Sequence, residues 1–223
     1  MISTLDSSQF VTKICGLQSA EAAQEAIDAN SILLGIICVP NRKRTVDPSV
    51  AKEISQRVKS AREERQKRGL LGPFLVGVFR NQSVEEVQRI KSDYGIDIAQ
   101  LHGSENWQQY KEKFQDTLLI KRFVFPEDCP QVEELSKIEN PGCLALFDSE
   151  AGGTGEKLDW DSISTWSQKT GATFILAGGL TPENVKAASQ LHGVRGVDVS
   201  GGVETEGRKD YSKIKLFLSE SSA

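Results

Sequence analysis

The consecutive segments TFILAGGL (Thr173–Leu180), TPENVKAASQLHG (Thr181–Gly193) and VRGVDVSGGVE (Val194–Glu204) decide the reading of this chain. Two β-branched runs, Thr173–Ala177 and Val194–Val199, each lead into paired glycines, Gly178-Gly179 and Gly201-Gly202. Between them, Thr181-Pro182 reads as an N-cap followed by proline at the first helical position, which predicts a helix through about Leu191. Strand, glycine turn, helix, strand, glycine turn is a βαβ unit with two bare backbone loops at the same ends of adjacent parallel strands. Glycine lets peptide N–H groups approach an anion with no Cβ in the way. In a β/α barrel the loops after the last two strands are the usual phosphate site. One Gly-Gly pair alone reads as a tight turn; two, both after strands, favour a phosphate cradle.

Outward from that unit, strand and helix signals alternate along the chain. The strands are read at Val11–Cys15, Ile32–Val39, Phe74–Phe79, Ile96–Leu101, Leu118–Val124 and Cys143–Phe147, with the two above as seventh and eighth. Ile32–Val39 is almost continuously apolar, as expected of a strand buried on both faces. Helix starts are marked by Ser19, Asp47-Pro48, the Ser83/Glu86 capping box, Ser104 and Asp159, with further helices over about Gln131–Ile138 and Asp210–Leu218. The run RVKSAREERQKRG (Arg57–Gly69) mixes both signs and reads as a solvated helix end, not a nucleic-acid patch. Eight strands in strict alternation with eight helices mean α/β, and the count plus the two late phosphate loops select a closed (β/α)8 barrel over an open sheet.

The bulk numbers agree. The chain has 223 residues, 38% hydrophobic and 26% charged. One barrel takes roughly 200–250 residues, so residues 1–223 are expected to form a single domain. A net charge of −4 argues against a nucleic-acid or acidic-membrane partner. The opening MISTLDSSQF lacks a basic, apolar leader, and no stretch reaches the roughly 20 apolar residues of a membrane span, so a cytoplasmic protein is expected. Cys15, Cys38, Cys129 and Cys143 show no metal-ligand spacing, and His102 and His192 are the only histidines. A metal site is not expected.

In such a barrel the chemistry sits at the C-terminal ends of the strands. Cys15, His102, Asp148, Asp198 and Ser200 fall there, with Arg42 and Arg44 in the loop after the second strand. Strand alternation puts Lys13 inside if Cys15 is inside, Gln100 with His102, and Leu144 and Leu146 with Asp148. Lys13 and Asp198 then face each other on neighbouring strands and are expected to pair beneath the site. Taken singly, each residue has a plainer use: Cys15 as a small buried hydrophobe, Asp148 as a loop cap, His102 as a turn residue, Arg44 as a surface charge. Their joint placement favours a site.

These same segments carry a family resemblance. KICGL (Lys13–Leu17), PNRKRTVDP (Pro40–Pro48), VGVF (Val76–Phe79), QLHG (Gln100–Gly103), LFDSEAGGTGEKLDW (Leu146–Trp160), LAGGLTPENV (Leu176–Val185) and GVDVSGGVE (Gly196–Glu204) together resemble phosphoribosylanthranilate isomerase of the monofunctional, fungal type. The resemblance implies an Amadori rearrangement in tryptophan biosynthesis without metal or organic cofactor. It implies Asp148 as general acid, Cys15 as general base, and Arg44, His102 and Asp198 as substrate-binding. Backbone groups of Gly178, Gly179, Ser200, Gly201 and Gly202 would hold the phosphate. The chemistry then asks that nearby positive charge, with Lys13 as candidate, favour the Cys15 thiolate, and that partial burial keep Asp148 protonated.

Two other readings fit parts of the pattern. The related phosphosugar isomerase of histidine biosynthesis uses aspartate where Cys15 stands and needs a second phosphate cradle in the first half, where only Gly103 is present. A non-catalytic phosphosugar-binding barrel explains the glycines and Arg44 and leaves Cys15 and Asp148 without a task. With no apolar surface stripe evident, a monomer is expected.

Overall fold

The computed structural model describes residue 5 and residues 9–148 and 158–221. Eight parallel strands close into a barrel in sequence order. They are β1 (Val11–Ile14), β2 (Leu33–Ile37), β3 (Phe74–Phe79), β4 (Ile98–Leu101), β5 (Leu119–Phe123), β6 (Cys143–Phe147), β7 (Phe174–Leu176) and β8 (Val194–Val199). β1 and β8 close the ring, with Val11 opposite Gly196 and Lys13 opposite Asp198. The connecting helices are α1 (Ala20–Asp28), α2 (Pro48–Lys67), α3 (Val84–Tyr94), α4 (Trp107–Lys113), α5 (Cys129–Lys137), α6 (Trp160–Thr170) and α7 (Val185–Ser189), and α8 (Tyr211–Ser221) follows β8. The expected barrel is the one observed.

Period-two alternation divides the apolar residues between two cores. One, inside the barrel, gathers Val11, Leu33, Phe74, Val76, Ile98, Ile120, Leu146 and Ile175, with Leu144 packed against it. The other lies between strands and helices and includes Ile14, Leu34, Leu75, Phe79, Phe147 and Phe174. Phe147 meets Phe125, Trp166 and Phe174 at centroid distances of 5.0–5.9 Å, edge to face. Consecutive residues of one strand therefore serve different cores, and the inward set ends in polar side chains at the top.

The caps are built as the sequence suggests. Ser19 Oγ accepts from Ala22 N (3.2 Å), Asp47 Oδ1 from Ser49 N (2.8 Å), Ser83 Oγ from Glu86 N (3.2 Å) and Asp159 Oδ1 from Ser162 N (3.1 Å). The capping box at Ser83 is only half used: Glu86 accepts from Gln82 Nε2 at 3.4 Å.

Two helix starts differ from expectation. α7 is regular only from Val185, although its first turn opens at Thr181 as expected: Thr181 O accepts from Asn184 N (3.2 Å) and Val185 N (3.0 Å), Asn184 Oδ1 takes the Thr181 N–H (2.8 Å), and Asn184 Nδ2 donates to Gly179 O (2.9 Å). α4 begins at Trp107, capped by Asn106, because Ser104 is used elsewhere: its N–H and hydroxyl both donate to Asn81 Oδ1. The next residue, buried Glu105, accepts from Asn81 N (2.6 Å) and Gly103 N (2.7 Å), tying the loops after β3 and β4 together.

The charged run on α2 is also not simply a solvated end. Arg62 forms an ion pair with Asp97 and donates to Pro73 O (2.9 Å). Arg65 is 9% exposed and donates to Ile27 O (2.6 Å) and Ser31 O (3.0 Å), covering carbonyls where α1 ends. Its guanidinium supplies a donor to Ser31 O and adds a second to Ile27 O, which also accepts from Asn30 N at 3.0 Å. Arg65→Met is therefore expected to lower stability by about 1–3 kcal/mol in urea unfolding, the range for a buried hydrogen-bonding group left unpaired. Arg68→Met, one residue past the helix, is expected to change it by less than about 0.5 kcal/mol.

Candidate active site

Ten side chains and peptides singled out from sequence come together around one cavity of about 630 Å³ at the C-terminal mouth: Cys15, Arg44, His102, Asp148, Gly178, Gly179, Asp198, Ser200, Gly201 and Gly202. Each is there because a strand delivers it. Cys15 follows β1, and its N–H donates to Val199 O at 2.8 Å, so the β1–β8 ladder carries on up to the site. It points inward past Gly35 of β2, where a Cβ would lie 2.7 Å from its sulfur. Asp148 follows β6 and is 7% exposed. His102 follows β4 and donates its N–H to Phe79 O (2.8 Å). The motif segment 149–157 lies outside the described residues.

Beneath Cys15, Lys13 is wholly buried and donates to both oxygens of Asp198, at 3.0 and 2.9 Å. The expected inward pair is present. Burial alone would lower the Lys13 pKa, but the charges of Asp198 and Cys15 and their hydrogen bonds outweigh it and raise it from 10.5 to about 12. For Cys15 the balance goes the other way. Burial raises the thiol above its ordinary value, although Lys13 and Lys209 both act to lower it. Lys13 acts as expected, as part of the positive field that favours the thiolate, but desolvation outweighs that field and the net shift is upward.

His102 Nε2 lies 3.5 Å from Asp148 Oδ2, and His102 Nδ1 lies 3.2 Å from Gln100 Nε2. Burial, then the cations Arg122, Lys13, Arg80 and Lys121, hold the imidazole pKa down to about 3. The ring is neutral at physiological pH. With the Gln100 amide donating to Nδ1, Nε2 carries the hydrogen facing Asp148.

The two glycine turns form one wall. Gly178 and Gly179 have φ of 82° and 67°, where L side chains are disfavoured. Gly202 packs so closely on Leu180 that a Cβ would sit 1.8 Å from its carbonyl oxygen. Arg44 reaches the same wall, with Nη2 3.4 Å from where a Gly201 Cβ would be. Arg42, Lys43 and Arg80 also line the cavity, which leaves its mouth strongly cationic. An anion bound at the glycine wall would meet peptide N–H groups and positive charge together.

Sequence reasoning passed over Arg80, Glu204 and Lys209. Glu204 accepts from Arg44 Nε (2.6 Å), Arg44 Nη2 (2.9 Å) and Lys209 Nζ (3.0 Å). Burial would raise its pKa, but the Arg44 hydrogen bonds and the Lys209 charge bring it down to about 2. Lys209 arrives opposite Glu204 in a two-stranded hairpin, β9 (Glu204–Thr205) with β10 (Arg208–Lys209). The turn residues Glu206 and Gly207 both have positive φ, 51° and 75°. A Glu-Gly pair is a weak form of the two-residue hairpin signal, and it could have revealed this pairing.

A scan against family models matches residues 12–220 to N-(5'-phosphoribosyl)anthranilate isomerase. A relative of that name from Saccharomyces kudriavzevii is 58% identical over 212 residues, covering 93% of this chain and 92% of the relative. Another from Saccharomyces cerevisiae is 53% identical over 222 residues, covering 98% and 97%. A solved phosphoribosylanthranilate isomerase in complex with reduced 1-(o-carboxyphenylamino)-1-deoxyribulose 5-phosphate superposes with a TM-score of 0.75 at 27% identity, covering 96% of this chain and 99% of that one. The chain belongs to the N-(5'-phosphoribosyl)anthranilate isomerase family.

In this isomerase fold the Lys13–Asp198 pair is the most exposed to test. Lys13→Met is expected to destabilise the protein by roughly 3–5 kcal/mol, because it strands a buried carboxylate. The folded pKa of Lys13 is raised, so its contribution is complete below pH 10.5 and is lost as pH rises through about 12. Urea unfolding of both proteins should show the gap between wild type and Lys13→Met narrowing across that window. A gap that stays constant would remove the pair from the account.

Proposed function

We propose that this isomerase performs its reaction, the Amadori rearrangement of N-(5-phosphoribosyl)anthranilate to 1-(2-carboxyphenylamino)-1-deoxyribulose 5-phosphate in tryptophan biosynthesis, with Asp148 as general acid and Cys15 as general base. The observation that carries the reading is that the two reach one cavity from non-adjacent strands, β6 and β1, beside the glycine wall. Asp148 gives its proton to the furanose ring oxygen, and the C1–O bond breaks to leave an open-chain Schiff base. Cys15 takes the C2' proton, and the electron pair moves to form an enolamine. The enolamine loses its C2 hydroxyl proton and gains one at C1, giving the aminoketose. A substrate pinned at its phosphate and at its anthranilate end holds C2' and the ring oxygen toward the two groups.

The supporting residues take matching roles. Peptides at Gly178, Gly179 and Ser200 to Gly202 bind the 5'-phosphate, and Arg44 meets the anthranilate. His102, neutral, directs a hydrogen at Asp148. Asp198 borders the substrate while holding Lys13. A cytoplasmic monomer fits four cysteines that are all free and buried, and large exposed apolar side chains that, among the described residues, are spread over three regions: Leu70, Ile138, and Tyr211 with Leu216.

The test is the decay of phosphoribosylanthranilate fluorescence, with substrate generated in place from anthranilate and phosphoribosyl pyrophosphate. Wild type should remove it rapidly. Cys15→Ser and Asp148→Asn should each lose about 10²–10⁴-fold in kcat while keeping the fold. Near-wild-type turnover by either variant sinks that residue's role, and a folded wild type without turnover returns the chain to a phosphosugar-binding barrel.

The pH profile separates the two roles further. Because the base must be a thiolate, which burial of Cys15 disfavours, and the acid must carry its proton, kcat/KM for wild type should show two opposed limbs, one from each group. His102, already neutral above about pH 3, adds no limb near neutrality. A profile lacking two opposed limbs would count against assigning the two roles this way.

A further inference from the structure

Neither Glu204 nor Lys209 lines the cavity, yet both hold groups that do. The Glu204 side chain is 9% exposed and that of Lys209 6%. One Glu204 oxygen accepts from Arg44 Nε and from Lys209 Nζ, and the other from Arg44 Nη2. This bidentate grip uses the Nε and Nη2 edge of the guanidinium and fixes its plane, so the Nη1 edge is what remains for a ligand. Lys209 then donates to Ser200 O at 2.8 Å and, at longer range, to Ser200 Oγ at 3.4 Å. In a planar trans peptide the carbonyl and the following N–H point in opposite directions. Lys209, which does not line the cavity, holds the Ser200 carbonyl toward itself, so the Gly201 N–H is turned the opposite way.

The network closes beside the reacting thiol. Gly16, next to Cys15, has a φ of +72°, and a Cβ there would lie 2.7 Å from both Arg44 Cδ and Ser200 Oγ. The β1 turn, the Arg44 arm and the phosphate turn are thus packed on one point.

We propose that Glu204 and Lys209 are positioning residues for the two ends of the substrate: Glu204 sets the pose of Arg44, and Lys209 sets the Ser200–Gly201 peptide that receives the phosphate. The proposal rests on the functional reading above for the identity of the substrate. Its phosphate arm is independent of turnover.

The experiment measures inorganic phosphate binding by calorimetry and steady-state kinetics with phosphoribosylanthranilate, on variants shown to fold by thermal unfolding. Lys209→Met should weaken inorganic phosphate about tenfold, the size expected for losing one oriented charge-assisted donor. The loss should persist in about 1 M KCl, where the Debye length is near 3 Å, because an orientation effect is not a screened long-range attraction. Lys209→Arg should recover part of it. If Lys209→Met does not fold, Lys209→Gln carries the same expectation. Glu204→Gln should raise KM about tenfold, more than it lowers kcat, and should add little in an Arg44→Ala background. A folded Lys209 variant that binds inorganic phosphate like wild type, or a loss that vanishes in salt, overturns the Lys209 arm. Full additivity of Glu204→Gln with Arg44→Ala overturns the Glu204 arm. Wild type that binds phosphate without turning over substrate would sink the functional reading while the phosphate comparison still decides the Lys209 arm.

Discussion

Everything at the mouth of this barrel stands on the ion pair between Lys13 and Asp198. The two residues sit opposite each other where the first and last strands close the ring, and both face a barrel interior otherwise filled by Leu33, Val76, Ile98 and Ile120. Neither charge could stay there alone, since removing an ion from water costs several kcal/mol. Together they are satisfied, with both carboxylate oxygens on one ammonium. The pair also fixes register. A one-residue slip of the first strand would turn Lys13 toward the helices and Ile14 inward, exchanging a buried charge for an apolar side chain in each core.

That pair sets the electrical conditions one layer up. Lys13 interacts with both Asp198 and the Cys15 sulfur, and Cys15 in turn feels the ammonium lowering its pKa and the Asp198 carboxylate raising it. Cys15 consequently rests as a buried thiol whose pKa is raised by desolvation and lowered by two lysines, with desolvation larger. His102 is governed by the same burial and by four cations, and is neutral. A cavity rimmed by Arg42, Lys43, Arg44 and Arg80 over a neutral thiol and imidazole suits a ligand carrying negative charge at separated points. A neutral sugar would use little of it.

How much of this could be read from the residues depended on distance along the chain. The strands were legible because period-two alternation is local, and so were the caps at Ser19, Asp47, Ser83 and Asp159, each acting within three residues. The tips Cys15, His102, Asp148 and Asp198 followed once the barrel was inferred, because the fold itself says where strand ends converge. Arg65 was misread because its acceptors, Ile27 O and Ser31 O, lie 38 and 34 residues away. Glu204 was passed over for the same reason, being 160 residues from Arg44. Thr181 did mark the opening of its turn, since its carbonyl accepts the Val185 N–H and Asn184 Oδ1 accepts its own N–H, but the regular helix starts only at Val185.

The two glycine pairs, read alike from sequence, turn out to be glycine for different reasons. Gly178 and Gly179 adopt positive φ, so there the backbone conformation excludes a Cβ, which would crowd its own carbonyl. Gly201 and Gly202 do not share that requirement and form a short 3-10 turn, Gly201–Val203. At Gly202 what excludes a side chain is the neighbour, the Leu180 carbonyl oxygen on the turn after β7. The first pair shapes its own loop; the second lets that loop approach its partner. The anion wall exists only because both conditions hold at once: a strained turn at the end of one strand, and a bare one at the end of the next to receive it.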